Sequence, residues 1–477
     1  MAAVLVAVPD SRAEGPVVSS HAMLHTCCFP YEMKERIFAE SKAFGASYVR
    51  VDFELGAIYA GGPDSPDWSQ VDQVLELSRR YDLQVLGIVL DTPDYLSPCH
   101  QLQPPERGRC PPTDLEEYGR IAGELAARAR ATISHWEVLN EPDGSWAFYG
   151  TPQDYARMLS VTHDAIKARV PEARIAMGGI MNPWSSDWVD QVFATEGADA
   201  AHKFDIANVH LRGRADDMPR GLARWRNTMA RHGFSGPIWV TEHDYSADPT
   251  YQSDPAYKGG EPEQAAYLQR SLRLLAEAGA DQIFVTARDE GNADWAAVGL
   301  THIDEQPPFA ATRRQAFETV RRFGEWWRMR PEWRARQLEH ERLAAEAEAQ
   351  ANTADVRAQD LVNKQALALA ALGPSRRRLE QLRNCLRAAR AGRIACRFAR
   401  RSCARRPRPV RRPCLRRIAR RLRKQVRRRA ATVRVAQRTL RGLDARLQAE
   451  RATAERFRAD AQHNRELAAG YAIQIQG

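Results

Sequence analysis

The sequence predicts a parallel (β/α)₈ barrel followed by an antiparallel coiled-coil hairpin of two helices. Three observations support this prediction. Eight short apolar runs alternate with amphipathic stretches over about 300 residues, polar residues close most of these runs, and the C-terminal part has the composition of long helices. The 477 residues suffice for one large domain and an appendage. We divide the chain into an N-terminal segment at 1–15, a barrel at 16–328 and a helical region at 329–477.

The candidate strands are short runs rich in β-branched and aromatic residues. In chain order they are VVSSHAML, YVRVDFE, LQVLGIVL, ISHWEVLNE, RIAMGGI, FDIANVHL, PIWVTEH and DQIFVTA. The amphipathic stretches between them include YEMKERIFAESKAFG, WSQVDQVLELSRRYD, LEEYGRIAGELAARA, PQDYARMLSVTHDAIKARV and PEQAAYLQRSLRLLAEAG. Eight such units favour a closed barrel over an open doubly wound sheet. No Gly-rich phosphate loop follows the first strand, and we predict no cofactor.

Polar residues lie at the carboxyl ends of the predicted strands, where a barrel of this kind carries its chemistry. The fourth strand ends on Asn140 and Glu141, and the seventh reaches Glu242. Strands four and seven face each other across a barrel mouth, so we expect the two carboxylates to lie close together. Further charged strand ends are Arg50 and Asp52 on the second strand, His210 on the sixth and Arg288 on the eighth.

The Asn-Glu-Pro after strand four and the Thr-Glu of strand seven resemble the catalytic pair of glycoside hydrolase clan A, the retaining (β/α)₈ glycosidases. The stretches YVRVDFELGAIY, LGIVLDTPDYLSP and GLTHIDEQPPFAATRRQAF more specifically resemble bacterial family 39 and neighbouring family 5 enzymes, including exopolysaccharide hydrolases. The resemblance covers residues 16–325. It implies hydrolysis of a β-linked oligo- or polysaccharide, with Glu141 as acid/base and Glu242 as nucleophile.

Retaining hydrolysis needs two carboxyl groups about 5 Å apart, one as nucleophile and one as acid and then base. The resemblance implies that Asn140 hydrogen-bonds the sugar hydroxyl beside the reacting carbon, and that Arg50 keeps Glu242 ionised. His210 resembles the histidine of strand six in the same polar network. For Arg50 and Asp52, an ion pair inside the barrel is an alternative to substrate contact.

Two positions differ from the family pattern. VHLRGRADD lacks the tyrosine that follows the strand-six histidine in many relatives, and FVTARDEG ends strand eight on charged residues instead of tryptophan. Tyr245 could replace the missing phenol, and Arg288 could contact a charged sugar. Trp184 and Trp295 lie in loops and are candidate platforms for a sugar ring. Two tryptophans within strands are expected to pack in the core instead: Trp136 and Trp239. A barrel that binds carbohydrate without turnover is the second hypothesis, and a protein whose main function is binding of an anion or nucleic acid by its basic hairpin is the third.

Charge is concentrated in one C-terminal segment. Between Ser375 and Arg429 there are 24 Lys or Arg residues against one acid, Glu380, so the segment carries +23 and the other residues carry −13 of the total +10. This density predicts an anionic partner such as an acidic polysaccharide, a cell-wall polymer, lipid head groups or nucleic acid. The only aromatic residue there is Phe398, which disfavours nucleic acid because single strands are bound by stacking.

Eight cysteines predict disulfides and therefore an extracellular or cell-envelope location. Cys99 and Cys110 bracket a Pro-rich loop and are expected to pair. A late quartet has symmetric spacing, which predicts the nested pairs Cys385 with Cys414 and Cys396 with Cys403. Closely spaced Cys pairs typical of zinc sites are absent from the sequence, so we predict no metal. The first 15 residues fit an incomplete signal peptide or a disordered terminus equally well.

Apolar residues recur in steps of three and four along the C-terminal region, for example Val433, Ala436, Leu440 and Leu447. This pattern predicts two helices that fold back at about residue 400, with the basic, Cys-containing segment 375–429 at the tip. LGPS at 372–375 is expected to kink or break the first helix. The helices could also pair with another subunit.

Overall fold

The computed structural model describes residues 18–181, 184, 186–250, 258–289, 297–393, 403 and 408–476. The predicted segment 1–15, Trp295 and Cys396 lie outside these residues. The chain divides into two compact units, Met1–Met329 and Arg330–Gly477. No helix among the described residues is both long and apolar enough to cross a bilayer.

Eight parallel strands form the predicted barrel in the first unit. They are β1 (Val18–His25), β2 (Tyr48–Glu54), β3 (Gln84–Leu90), β4 (His135–Asn140), β5 (Arg174–Gly179), β6 (Ala207–His210), β7 (Ile238–His243) and β8 (Gln282–Thr286). Their order in the sheet is β5-β4-β3-β2-β1-β8-β7-β6. Isolated bridges from Ala176 to Ile206 and from Ile180 to Val209 join β5 to β6, so the barrel is nearly closed. All eight predicted strands are confirmed.

Helices follow most of the strands. They are α1 (Tyr31–Ala43), α2 (Leu55–Ile58), α3 (Ser69–Tyr81), α4 (Leu115–Ala129), α5 (Pro152–Arg169), α6 (Ser186–Phe193), α7 (Met218–Arg231) and α8 (Glu261–Glu277). Local sequence fixes several starts: Asp114 caps α4, and Thr151 and Asp154 form a capping box at α5. A short antiparallel pair, β9 (Thr301–Ile303) and β10 (Ala311–Arg313), follows β8.

Alternation along β2 divides the barrel interior into layers, because successive strand residues point to opposite faces. Tyr48 packs at the base, where its ring centre lies 5.1 Å from that of Trp239. Arg50, two residues later, is buried in the middle, and Asp52 and Glu54 reach the mouth. The apolar base therefore supports a charged layer directly below the mouth.

The two strand tryptophans pack in the core, as predicted. Trp136 has no exposed surface and packs against Phe53, with 5.6 Å between ring centres. Trp239 is 5% exposed and stacks on His135 at 5.2 Å. Neither ring is available to a ligand at the mouth.

The second unit contains a pair of antiparallel helices. Most of α9 (Gln315–Arg390) and all of α10 (Arg408–Gln476) belong to it. Side-chain pairs across the two helices are Arg336 with Tyr471, Arg357 with Glu450 and Gln365 with Asp444. Because positions along α10 fall as those along α9 rise, the helices run in opposite directions. That the pair is a coiled coil remains a prediction.

Helix α9 continues through Pro374, so LGPS does not break the first arm. An interior proline removes one backbone hydrogen bond and crowds the preceding turn. Leu372 and Leu379 are buried on either side of it, in a cluster with Ala430 and Val433 of α10. Packing against the second helix therefore holds the first one together across the proline.

The disulfides differ in part from the predicted pairs. Cys99 pairs with Cys110, as expected. Cys414 pairs with Cys403 and not with Cys385, so the nested scheme is wrong. Helix α10 begins at Arg408, so Cys403 lies in the segment leading into that helix and reaches Cys414 by closing a short loop, which has a low entropic cost. An additional bond joins the adjacent residues Cys27 and Cys28.

Candidate active site

The end of β4 has an unusual backbone. Leu139 and Glu141 have φ angles of 64° and 44°, in the left-handed region that non-glycine residues seldom adopt. The amide of Glu141 donates to the carbonyl of Gly179 at 3.1 Å, which holds this turn against β5. Such conformations persist where the surroundings enforce them, and they cluster at functional sites. The turn brings Asn140 and Glu141 to the barrel mouth.

Arg50 organises the buried layer below the mouth. Its Nε and Nη2 donate to the two carboxylate oxygens of Glu137 at 2.8 and 2.9 Å. Its Nη1 donates to Glu242 Oε1 at 2.8 Å, and Nη2 also donates to Asn140 Oδ1 at 2.7 Å. Arg50 thus ion-pairs with Glu137 and Glu242, while Asp52 pairs with His25 at 2.8 Å. The Asn140 amide nitrogen, with no recorded partner in the described chain, is left to donate towards the cavity.

A second arginine, Arg212, joins the two predicted catalytic glutamates. Its Nη2 donates to Glu242, its Nη1 to Glu141 Oε1 at 3.4 Å, and its Nε to Asp244 Oδ2 at 3.1 Å. The ring Nδ1 of His210 lies 2.7 Å from Glu141 Oε1 and 3.5 Å from Glu242 Oε2. Side-chain ligand atoms of Glu141, His210 and Glu242 all lie within 4.8 Å of one another. The strand-end glutamates therefore meet as the sequence predicts.

Glycine at 179 makes room for His210 beside this pair. A Cβ at Gly179 would lie 2.1 Å from His210 Nε2, closer than any real contact. The same residue donates its amide to Glu137 Oε1 at 3.0 Å. Strand β5 thus contributes a close approach of backbone to the site, which any larger residue would prevent.

The surroundings of Glu242 favour its charged form. Burial acts to raise the pKa of Glu242, but the electrostatic influence of His210, His21, Arg212 and Arg50 outweighs it and holds the pKa well below its usual range. The carboxylate is therefore ionised at neutral pH. An ionised carboxylate held by two guanidinium groups is the state required of a nucleophile.

His21, in β1, is an uncharged hydrogen-bond donor beside Glu242. Burial lowers the pKa of His21 to about 3, so its ring is uncharged. Its Nδ1 faces a donating nitrogen of Arg50 at 3.2 Å, which assigns the ring proton to Nε2. That Nε2 lies 3.6 Å from Glu242 Oε1 and has no hydrogen-bond partner within the described residues.

A cavity of about 640 Å³ opens at the carboxyl ends of the strands, and both glutamates line it. Trp146, in the loop after β4, also lines the cavity and is 52% exposed. An exposed aromatic face suits the apolar face of a sugar ring. Trp146 was not among the residues predicted from the sequence, although it follows the Asn-Glu-Pro by only a few positions. The bonded pair Cys27 and Cys28 lines the same cavity.

Three residues predicted to bind substrate lie elsewhere. The hydroxyl of Tyr245 donates to the carbonyl of Lys258 at 2.6 Å, and Arg212 rather than Tyr245 contacts Glu242. Arg288 is 8% exposed, with its guanidinium 4.7 Å from the centre of the Phe29 ring. Trp184 is 44% exposed and is flanked by guanidinium groups of α7. None of the three lines the cavity as far as the chain is described.

Two groups of side chains have the ligand types of a metal site among the described residues. One is Glu141, His210 and Glu242; the other is His25, Asp52 and Glu54. In the first group, Arg50 and Arg212 form ion pairs with the carboxylates. In the second, burial would lower the pKa of His25, but its two carboxylate partners outweigh burial and raise it to about 11. The protonated ring therefore neutralises those carboxylates, and both groups are balanced by cations of the protein.

The same barrel fold occurs in solved glycoside hydrolases. A family 39 β-xylosidase from Caulobacter crescentus superposes with a TM-score of 0.50 and 17% identity, covering 66% of this chain and 72% of its own. A monomeric β-xylosidase from Caulobacter crescentus CB15 has a TM-score of 0.50 and 18% identity, covering 65% and 69%. A glucosidase from Croceicoccus marinus has a TM-score of 0.46 and 16% identity, covering 61% of this chain and 63% of its own, just under two thirds of that enzyme.

No protein-family model and no curated protein sequence matches the chain. At these identities the structural likenesses concern the fold. The first unit of this chain is a (β/α)₈ barrel of the kind found in solved glycoside hydrolases.

Proposed function

We propose that the protein is a retaining glycoside hydrolase of the clan A type, which cleaves a β-linked oligo- or polysaccharide. One observation carries the proposal: Glu141 and Glu242, on opposite strands, meet with ligand oxygens within 4.8 Å. Retaining enzymes hold their two carboxyl groups about 5 Å apart, whereas inverting enzymes leave roughly 6.5 to 9.5 Å for a water molecule. The two carboxyl groups are thus close enough for the retaining mechanism.

The reaction proceeds in two displacements. In the first, Glu242 attacks the anomeric carbon and forms an ester, while Glu141 gives its proton to the leaving glycosidic oxygen. In the second, Glu141 takes a proton from water, the water oxygen attacks the same carbon, and Glu242 leaves as a carboxylate. Both side chains return to their starting protonation states, and the sugar keeps its anomeric configuration.

The neighbouring residues support these steps. Arg50 and Arg212 hold Glu242 ionised and oriented. Asn140 has its oxygen occupied by Arg50, so its amide nitrogen donates to the sugar hydroxyl beside the reacting carbon. That contact strengthens as positive charge develops in the transition state.

Substitution of the two glutamates tests the assignment. Glu141→Gln and Glu242→Gln should each lower kcat on aryl β-glycosides and exopolysaccharides by at least about 100-fold. With a dinitrophenyl leaving group, which needs no protonation, Glu141→Gln should keep a fast first step. Azide should restore turnover to the alanine variants, giving a β-azide with Glu141→Ala and an α-azide with Glu242→Ala. Absence of wild-type turnover, or undiminished turnover in both variants, contradicts the proposal.

We also propose that the basic segment 375–429 attaches the protein to an anionic polymer or membrane surface outside the cytoplasm. In its described part, arginines such as Arg416, Arg417, Arg420 and Arg421 are exposed, while Leu415 and Ile418 face the helix pair. No ion pair with a carboxylate is recorded for these arginines. Disulfides support an oxidising compartment.

Retention of the protein on anionic cell-wall material should fall steeply with salt. Salt-independent retention, or preference for nucleic acid, argues against this role. Self-association of the helices is tested by sedimentation.

A further inference from the structure

The loop between β3 and α4, residues 91–114, carries an arginine into the cavity of the candidate active site. Arg109 lines that cavity together with the two glutamates. It is one of three arginines there, and the other two are paired: Arg50 with Glu137 and Glu242, and Arg212 with Glu242. Arg109 has no carboxylate partner among the described residues, and its recorded side-chain contact is to the Tyr149 hydroxyl at 3.5 Å.

The loop holds Arg109 in place from both sides. The carbonyls of Gly108 and Cys110 accept from the amide and the hydroxyl of Thr92, at 2.9 and 2.7 Å. The carbonyl of Arg109 accepts from the Tyr149 amide at 2.9 Å. Cys110 is also joined to Cys99 by a disulfide. The consecutive carbonyls of Gly108, Arg109 and Cys110 therefore all accept hydrogen bonds, and the Arg109 side chain extends from an ordered backbone.

Asp91 packs against this loop, and the surroundings of its carboxyl group disfavour the charged form. A Cβ at Gly108 would lie 3.0 Å from the Cβ of Asp91, so Asp91 lies directly beneath the loop. Burial raises the pKa of Asp91 well above its usual range, with a further contribution from Glu54. Asp91 also lines the cavity, and its Oδ1 accepts from the Gly56 amide at 2.7 Å. The guanidinium of Arg109, with no carboxylate partner among the described residues, is the group that matches an anionic oxygen.

We infer that Arg109 forms a subsite for an anionic substituent of the substrate, so that the polysaccharide cleaved by this protein is acidic. A guanidinium binds a carboxylate or a sulfate through two parallel hydrogen bonds. The inference rests on the proposed glycosidase function and narrows its substrate class. Arg109 is a specificity residue here and takes no part in bond cleavage.

Matched substrates and variants test the subsite. Arg109→Gln should leave kcat/KM on a neutral aryl β-glycoside unchanged and lower kcat/KM on a uronate-containing or sulfated oligosaccharide by about 10- to 100-fold. Arg109→Lys should recover part of this loss. The control Arg36→Gln, which removes an exposed arginine from α1, should have no effect on either substrate. A fall in kcat/KM on the uronate-containing oligosaccharide identifies the group bound by Arg109 as a carboxylate, and a fall on the sulfated oligosaccharide identifies it as a sulfate.

Binding separates this inference from the proposed activity. Calorimetry of the same oligosaccharides with the Glu242→Gln variant, with and without Arg109→Gln, measures the subsite without turnover. A 10- to 100-fold loss of affinity supports the subsite even if no substrate is hydrolysed. Equal loss on neutral and acidic substrates, or a wild-type preference for the neutral parent, overturns it.

Discussion

Replacing Arg212 with methionine removes the cation that joins the two glutamates and keeps a similar side-chain length. The variant loses a charge-assisted hydrogen bond to Glu242. Such a bond contributes about 1.5 to 3 kcal/mol, which corresponds to about a 10- to 150-fold fall in kcat/KM. The pH profile changes as well. Arg212 helps to lower the pKa of Glu242, so its removal moves the acidic limb of kcat/KM to higher pH. His210 and Arg50 remain, so the shift is partial.

The assay is the pH dependence of kcat/KM on an aryl β-glycoside with a good leaving group, which isolates the step performed by Glu242. The control is Arg220→Met, which removes an arginine whose side chain is 71% exposed on α7. Asp244 also loses a partner in Arg212→Met, and thermal unfolding checks that the barrel stays folded. If Arg212→Lys and Arg212→Met both keep the wild-type acidic limb and lose less than about threefold in kcat/KM, the proposed role of this arginine is wrong.

Three further predictions concern the frame of the site. Gly179→Ala should displace His210 and lower the free energy of unfolding by about 1 to 3 kcal/mol, measured in urea, and an unchanged midpoint would contradict this. Replacing Cys99 and Cys110 with serine should lower the free energy of unfolding by about 2 to 3 kcal/mol; reductant should destabilise the variant less than the wild type, because the variant keeps only its other disulfides. The stabilisation from His25 should be complete below its unfolded pKa near 6.5 and be lost as pH rises through about 11. The difference in the free energy of unfolding between the wild type and His25→Gln should therefore decrease between pH 6 and 9.5. A constant difference would contradict the contribution of the His25 ion pairs.

The barrel could be predicted because parallel strands buried on both faces appear as near-continuous apolar runs. All eight runs named from the sequence overlap the observed strands. The pair Cys99 and Cys110 could be predicted, because the two residues bracket one loop. The pairing of the late cysteines could not, because connectivity depends on where the return helix begins, and the spacing of Cys403 and Cys414 fits several schemes. The helix across Pro374 likewise depends on packing with the second arm.

Glu141 and Glu242 could be selected from the sequence as the proposed catalytic pair because each one lies at the end of an apolar strand. The arginine that joins the pair is less obvious, since Arg212 lies in a loop, where an arginine is usually solvated. A usable signal was present, because Arg212 is a charged residue only two positions after the strand-end His210. Glu137 offered another, because a charged residue inside an apolar parallel strand must find a buried partner. Here that partner is Arg50.

Charge has two separate uses in this protein. At Glu141 and Glu242, Arg50 and Arg212 are buried and paired, so they help to set the geometry and the pKa of Glu242, and screening by salt affects them little. Among the described residues, Arg109 and the exposed Arg416, Arg417, Arg420 and Arg421 have no such carboxylate partner, so their attraction for an anionic polymer should weaken with salt. The rest of the chain carries −13 and would itself repel such a polymer. If the cations at these two places bind the polymer as proposed, salt should impair hydrolysis of an acidic polymer while sparing a small neutral glycoside.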